Sequence, residues 1–313
     1  MDTHIADSPH IPVLLDAVLQ SFQHCGHGYI IDCTLGYAGH SSSLLQQLKQ
    51  ISIIGIDRDD EALAFSDQRL QSFSGRYRLY KGSFAQTVRE VEESPVVGVL
   101  ADFGVSSLQL DKAERGFSFE SETLDMRMDQ KAALTAYDVV NSYTLEQLSY
   151  IFKHYGEIPQ AHRLAEKIIE VRSNAPIESG KALSNIAKKV LYGGGKIHPA
   201  TLMFQAIRIE VNDELGQIEG LLGALEKMKP PAAVIALITF HSLEDRLVKN
   251  RFKAWSRQCI CEPHALRCTC GKKHALGKVL TKKPIIATSQ ERKLNPRSRS
   301  AKLRCFQFNK SLS

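Results

Sequence analysis

The chain has 313 residues, with 11 Pro and 20 Gly; this fits one large or two smaller globular domains and excludes long low-complexity stretches. No apolar run reaches the length of a membrane span, and acids near the N-terminus exclude an ordinary secretory signal, so a cytoplasmic protein without a membrane partner is expected. The net charge of +6 is uneven: +14 from His241 onward (18 Lys/Arg against 4 Asp/Glu) and −8 before it. Such asymmetry is the mark of a polyanion-binding surface. A solvated basic tail is the plainer alternative, but here the cations alternate with apolar residues as folded sequence does, which favours nucleic acid.

In chain order, HIPVLLDAVLQSF reads as an amphipathic helix with Val13, Leu14, Ala17 and Val18 on one stripe. IIDCTLGYAGHSSS, from Ile30 to Ser43, gives an apolar strand, an acid at Asp32, a turn with Gly36 and Gly39, and a helix from about Ser42 to Gln50. Ile51 to Asp57 is a second strand, DEALAFSDQRL a helix, and YRLYKGSF a third strand ending near Ser83 and Phe84. Val96 to Ser107 contains a fourth strand, ending in Asp102. Strand–helix alternation of this kind predicts a parallel doubly wound sheet, with ligands beyond the carboxyl ends of its strands. Asp32, Gly36, Asp57, Phe84 and Asp102 all fall there.

From Gln109 to about Lys196 no strong strand is evident. A long loop (SLQLDKAERGFSFESETLDMRMD) precedes helices over TLEQLSYIFKHYGEI, AHRLAEKIIEVRS and KALSNIAKKVLYGGG, an insert large enough for its own small core. TLMFQAIRIEVNDELGQIEGLLGALEKMK reads as one or two long helices. AAVIALITFHSLEDR returns to the sheet as a fifth strand with His241 at its tip. A helix to Trp255, a cysteine-rich hairpin and strands near Val279 to Ile286 and Leu303 to Asn309 complete the chain. The expected organisation is residues 1–108 and 199–313 as two parts of one sheet domain, with 109–198 as a helical insert that recognises RNA.

A strand, a glycine turn and a helix N-terminus make a cofactor cradle, because glycine lets the backbone approach and the helix amides face the ligand. An acid at the tip of the second strand suits ribose hydroxyls. The turn spacing is G-x-x-G with an acid four residues ahead, closer to an S-adenosylmethionine turn than to the dinucleotide G-x-G-x-x-G, and no P-loop is present. Asp102-Phe103-Gly104 spells a kinase metal motif without the rest of that set, and is a coincidence.

TLGYAGHS, GIDRD, the run from Asp102 to Asp111, RGFSF with LDMRMD, HPATLMFQAIRIEVNDEL, TFHSLEDR, LTKKP and NPRSRSAKLR together resemble the MraW family of small-subunit ribosomal RNA methyltransferases over nearly the whole chain. The resemblance implies a Rossmann-like α/β class I S-adenosylmethionine methyltransferase sheet with an inserted all-helical domain. It also implies N4-methylation of a cytidine in the decoding centre of 16S rRNA, met free or in the small ribosomal subunit, with DNA not expected as a partner. Carried over by position, Ala38, Gly39 and His40 contact the cofactor in the turn and Asp57 holds its ribose. Phe84 lies near the adenine, and Asp102 and Gln109 complete the pocket. Ala38 stands where the family often has glycine, a change a backbone contact tolerates if its φ is negative. SETLDMRM lacks the more usual D-G-P, which leaves that loop's shape open.

The sulfonium methyl is already activated, so in-line positioning supplies much of the acceleration; the delocalised N4 amine must be polarised and relieved of a proton. No Asn/Asp-Pro-Pro-aromatic loop follows the fourth strand, which makes Asp102 and His241 the candidates for that work. His241 is equally well explained as a cap on the helix that follows, together with Ser242. Asp125 and Arg127 either line an RNA channel or pair internally, and Phe252 and Trp255 either stack bases or, more simply, fill the core. Cys259, Cys261, Cys268 and Cys270 suit a structural zinc ion, though C-x-C is tighter than the usual spacing and reduced, unliganded thiols are the alternative. Cys25, Cys33 and Cys305 read as ordinary small residues. Competing functions are a non-catalytic ribosome-assembly factor, a DNA amino methyltransferase and, less well matched by the turn, a nicotinamide-linked oxidoreductase.

Overall fold

The computed structural model describes residues 11–105, 112–191, 198–262 and 267–310. The chain divides into two compact units, residues 1–104 with 216–313 and residues 105–215. No described helix is long and apolar enough to cross a membrane.

The first unit opens with α1 (Leu15–Phe22), β1 (Gly28–Asp32), α2 (Gly39–Gln47), β2 (Ile51–Asp57) and α3 (Asp60–Leu70). It continues with β3 (Tyr77–Lys81), the single turn α4 (Phe84–Thr87) and β4 (Val96–Asp102). β1, β2 and β4 are rich in β-branched residues and almost continuously buried, the pattern of strands covered on both faces. Helix α3 starts where the Asp59 side chain accepts the Glu61 amide at 3.0 Å, which satisfies a free helix-end donor.

The second unit holds α5 (Ala136–Ser142), α6 (Leu145–His154), α7 (Ala161–Arg172), α8 (Gly180–Val190) and α9 (Ala200–Asn212). Thr135 and Thr144 close reciprocal capping boxes with Asp138 and Gln147 at the starts of α5 and α6. Its core includes Val140, Leu148, Phe152, Leu164, Ile168 and Leu183. The expected boundary at 198/199 moves to 215/216 because α9 belongs to this core, burying Met203, Phe204 and Ile207 in it. The boundary is set by Asp213, whose left-handed backbone (φ 49°) ends α9 and separates it from α10 (Glu214–Met228). Asp125 and Arg127 form a bidentate ion pair of 2.9 and 2.7 Å, the internal-pair alternative.

The first unit resumes with β5 (Val234–Thr239), α11 (Ser242–Trp255), β6 (Gly277–Val279), β7 (Ile285–Ile286), α12 (Ser289–Leu294) and β8 (Lys302–Phe308). The strand expected near Val279 to Ile286 is thus two short strands, and α12 is an addition to the expected elements. The sheet order is β3-β2-β1-β4-β5-β8-β6, with β7 also on β8. β1 to β5 are mutually parallel and β8 is antiparallel to β5. Two apolar layers cover it, one including Phe22, Leu44 and Leu45, the other Leu221, Leu225 and Phe252. Phe252 and Trp255 are core: Trp255 is 2% exposed and lies 5.3 Å from both the Phe306 and the Phe308 ring.

Candidate active site

The reversal of strand order lies at β1, flanked by β2 and β4. Asp32 pairs with Gly55 of β2 and Leu100 of β4; Asp57 and Asp102 each stand two residues further on, at the carboxyl ends. In an open parallel sheet this is the ligand crevice.

The turn after β1 is built by hydrogen bonds to its neighbours. The Gly36 amide donates to Asp57 Oδ2 at 2.8 Å and the Asp59 amide to Asp57 Oδ1 at 2.9 Å. The Gly36 carbonyl accepts from Ser66 Oγ at 2.7 Å, and that of Tyr37 from Arg69 at 3.1 Å. Gly36 has φ 52°, a conformation that costs glycine little. Gly39 is required by space: a Cβ there would stand 2.6 Å from Pro12 Cγ. His40 is buried, its Nε2 donating to the Val13 carbonyl at 2.8 Å, and burial pushes its pKa down. Its ring therefore anchors the N-terminal segment, leaving its backbone to face a ligand. The same segment is held from the other end of the chain: the Leu14 amide donates to Glu291 Oε1 at 2.7 Å, and Asn295 Nδ2 to the Ile11 carbonyl at 2.9 Å.

At Ala38 the condition set by the sequence reading is not met. Its φ is +53°, not negative, and its side chain is fully buried. An L residue held there carries about 1–2 kcal/mol of steric cost. Ala38→Gly should fall within about 1 kcal/mol of the parent, since the relief offsets the loss of a buried methyl. Ala38→Val should cost more than about 2 kcal/mol, because a β-branched residue is an outlier in this backbone region and overfills the site. Urea denaturation of both variants checks the pair of values.

At β4 and β5 the crevice is acidic. Asp32 is buried and accepts from Ser41 Oγ at 2.6 Å and the Thr34 amide at 3.2 Å; burial pushes its carboxyl up to about 6. Thr34 Oγ1 accepts the Asp102 amide at 2.6 Å, which fixes the backbone of Asp102 independently of its carboxylate. Asp102 Oδ1 is buried with no hydrogen-bond partner among the described residues. Burial, then the charges of Asp32 and Glu244, hold its pKa well above the usual range.

His241 precedes α11 at its N-cap position. Glu244 Oε2 accepts the amides of Phe240 at 2.7 Å and His241 at 3.3 Å, and Glu244 Oε1 lies 3.2 Å from His241 Nε2. Glu244, a buried acid that sequence reasoning did not single out, thus holds the backbone at His241 and stands within ion-pair distance of its ring; the H-x-x-E spacing of a capping box was its signal. Phe84 lies 5.8 Å from Phe103, with the Arg58 guanidinium over its ring at 6.0 Å. Ser83 Oγ donates to Gln217 Oε1, a second contact not foreseen. Gln109 lies outside the described residues. The four expected metal ligands, Cys259, Cys261, Cys268 and Cys270, come together in the hairpin between α11 and β6.

Comparison with known proteins bears on the whole chain. Residues 7–309 match the family model described as the MraW methylase family. A ribosomal RNA small subunit methyltransferase H from a Sulfurovum species is 64% identical over 96% of this chain and 98% of its own length. Its counterparts from a Nitratiruptor species and from Aliarcobacter butzleri are 57% and 55% identical, over 96% and 97% of this chain and 99% and 100% of theirs. With its doubly wound sheet and the family match running almost from end to end, the chain belongs to the MraW methylase family.

Proposed function

We propose that this chain transfers the methyl group of S-adenosylmethionine to the N4 amine of a cytidine in the decoding centre of 16S rRNA. The observation that carries this reading is the crevice at the strand reversal. An acid-anchored glycine turn accompanies a buried carboxylate with a hydrogen-bonding oxygen to spare, in a chain of the MraW methylase family.

The backbone at Ala38, Gly39 and His40 and the amides at the start of α2 receive the methionine end of the cofactor. Asp57 has used one lone pair on each oxygen for the turn and for Asp59; the remaining lone pairs accept the ribose hydroxyls. Phe84 packs against the adenine, and Gln109 is the further residue that the family resemblance assigns to the cofactor. The cofactor supplies an activated methyl on a sulfonium centre. Asp102 accepts a hydrogen bond from the N4 amine, orients its lone pair and takes the proton released on methylation. Burial and the neighbouring acids raise its proton affinity, which favours holding the proton it takes. His241, its backbone held by Glu244, orients the base or relays that proton.

The substrate is small-subunit rRNA, free or assembled, met in the cytoplasm. The tail from His241 carries exposed cations at Lys282, Lys283, Arg292, Lys293 and Arg299, suited to phosphate contacts that position an RNA without reading its sequence. The helical unit recognises the surrounding RNA shape. Nucleoside mass spectrometry of small-subunit rRNA from cells with and without this gene tests the reading. The expected result is one cytidine that loses a base methyl group in the deletion and regains it on complementation; unchanged cytidine methylation overturns it.

A further inference from the structure

Between Trp255 and Gly277 the chain leaves the sheet for a hairpin in which no described side chain is buried. Its base is closed by the Leu276 amide on the Trp255 carbonyl at 2.7 Å and the His274 amide on the Gln258 carbonyl at 3.2 Å. A segment with no apolar core needs another source of cohesion, and small units of this kind commonly take it from a metal. The thiols of Cys259, Cys261, Cys268 and Cys270 converge inside this hairpin.

The distances select the ligand. Cys259 to Cys268, Cys268 to Cys270 and Cys259 to Cys270 are each 3.6 Å, and Cys261 to Cys268 is 4.0 Å. All four sulfurs lie within 4.8 Å of one another. Sulfurs at the corners of a tetrahedron, each about 2.3 Å from a central zinc ion, stand roughly 3.8 Å apart. A disulfide would require about 2.05 Å. A polynuclear iron–sulfur cluster carries its thiolates on separate irons, and so holds them further from one another than a single ion does. The Thr269 amide donates to Cys261 Sγ at 3.4 Å, the kind of support that orients a ligating thiolate.

We propose that Cys259, Cys261, Cys268 and Cys270 bind one tetrahedral zinc ion that fixes this hairpin. On binding, four S–H bonds give their protons to solvent, four Zn–S bonds form and nothing is oxidised. The resulting site has a charge of −2, offset by the exposed cations Arg257, Arg267, Lys272 and Lys273 around it. The proposal is independent of the methyl-transfer reading.

The test is elemental analysis of the full chain, purified in reductant without chelator. About one zinc per chain is expected, and in the Cys268→Ser/Cys270→Ser double variant at least about tenfold less. Cys25→Ser, in the sheet unit, should retain the full complement. Cobalt exchange should give the near-ultraviolet charge-transfer and visible bands of tetrahedral sulfur ligation. Should the double variant fail to fold, alkylation of the parent protein supplies the second readout. The four hairpin thiols should be protected with metal bound and should react together when a chelator is added. Wild-type protein that takes up no zinc under reducing conditions overturns the proposal, as do stoichiometric iron, unchanged zinc in the double variant, or a disulfide among these cysteines.

Discussion

Asp102→Asn is expected to slow methyl transfer by about 10²–10⁴-fold, the usual contribution of a positioned acid–base group, while cofactor affinity changes little. Two observations make the variant informative. The Asp102 backbone is held by Thr34, so the strand tip keeps its place, and the carboxylate supports no described part of the fold, its Oδ1 being without a partner. The stability effect has the opposite sign. Burial raises the folded-state pKa of Asp102 above its ordinary value of 3.8; the folded chain therefore holds its proton to higher pH than the unfolded chain does. Ionisation thus destabilises the fold progressively as pH rises from 3.8 through the folded-state value. The amide removes that cost, so at neutral pH the variant should melt higher than the parent, and below pH 3.8 the advantage should vanish. Single-turnover methylation and thermal melts across pH read both effects, and undiminished methylation would sink the role given to Asp102.

Asp57→Ala should weaken S-adenosylmethionine binding by about 100-fold, with the maximal rate at saturating cofactor reduced far less. Hydrogen bonds to a charged carboxylate contribute about 1.5–3 kcal/mol each, and Asp57 serves two masters, the ribose and the Gly36 amide. Losing it removes the ribose contact and loosens the turn that receives the methionine end. Asp57→Asn separates the two, since one amide oxygen can still accept the Gly36 N–H. Isothermal titration calorimetry on the three proteins should order them parent, Asn, Ala. Equal affinities would remove Asp57 from the cofactor site.

The three acids at the strand tips were readable because a buried β-strand and a helix have different periods, and the acid marks where one gives way to the other. Glu244 was harder to read: a glutamate in the first turn of a polar helix is the ordinary capping pattern, and only the folded chain shows it fully enclosed against His241. The backbone of Ala38 is not legible in the sequence for a related reason. Alanine carries no signal of left-handed geometry, so φ +53° had to come from the turn's hydrogen bonds and not from the residue type. The insert's end was placed early because α9 and α10 share an uninterrupted apolar pattern; the break between them is one aspartate with positive φ. The split of β6 from β7, and α12 after them, lie in a basic stretch where charge masks periodicity. The thiol cluster was legible as spacing, while the distances that distinguish one ion from a disulfide needed the fold.

The clasp on the N-terminal segment has a consequence for when this protein becomes competent. Val13 and Leu14 are gripped on one side by His40 and on the other by Glu291, and β8 must slot between β5 and β6 before the sheet is whole. A chain that has emerged from the ribosome just past Asp102 has every strand-tip acid of the cofactor crevice, yet lacks the strand and the clasp that hold the crevice together. Pairings of such long sequence separation form late. The cofactor crevice is therefore a product of the last stage of synthesis, completed only when residues near 300 have been made.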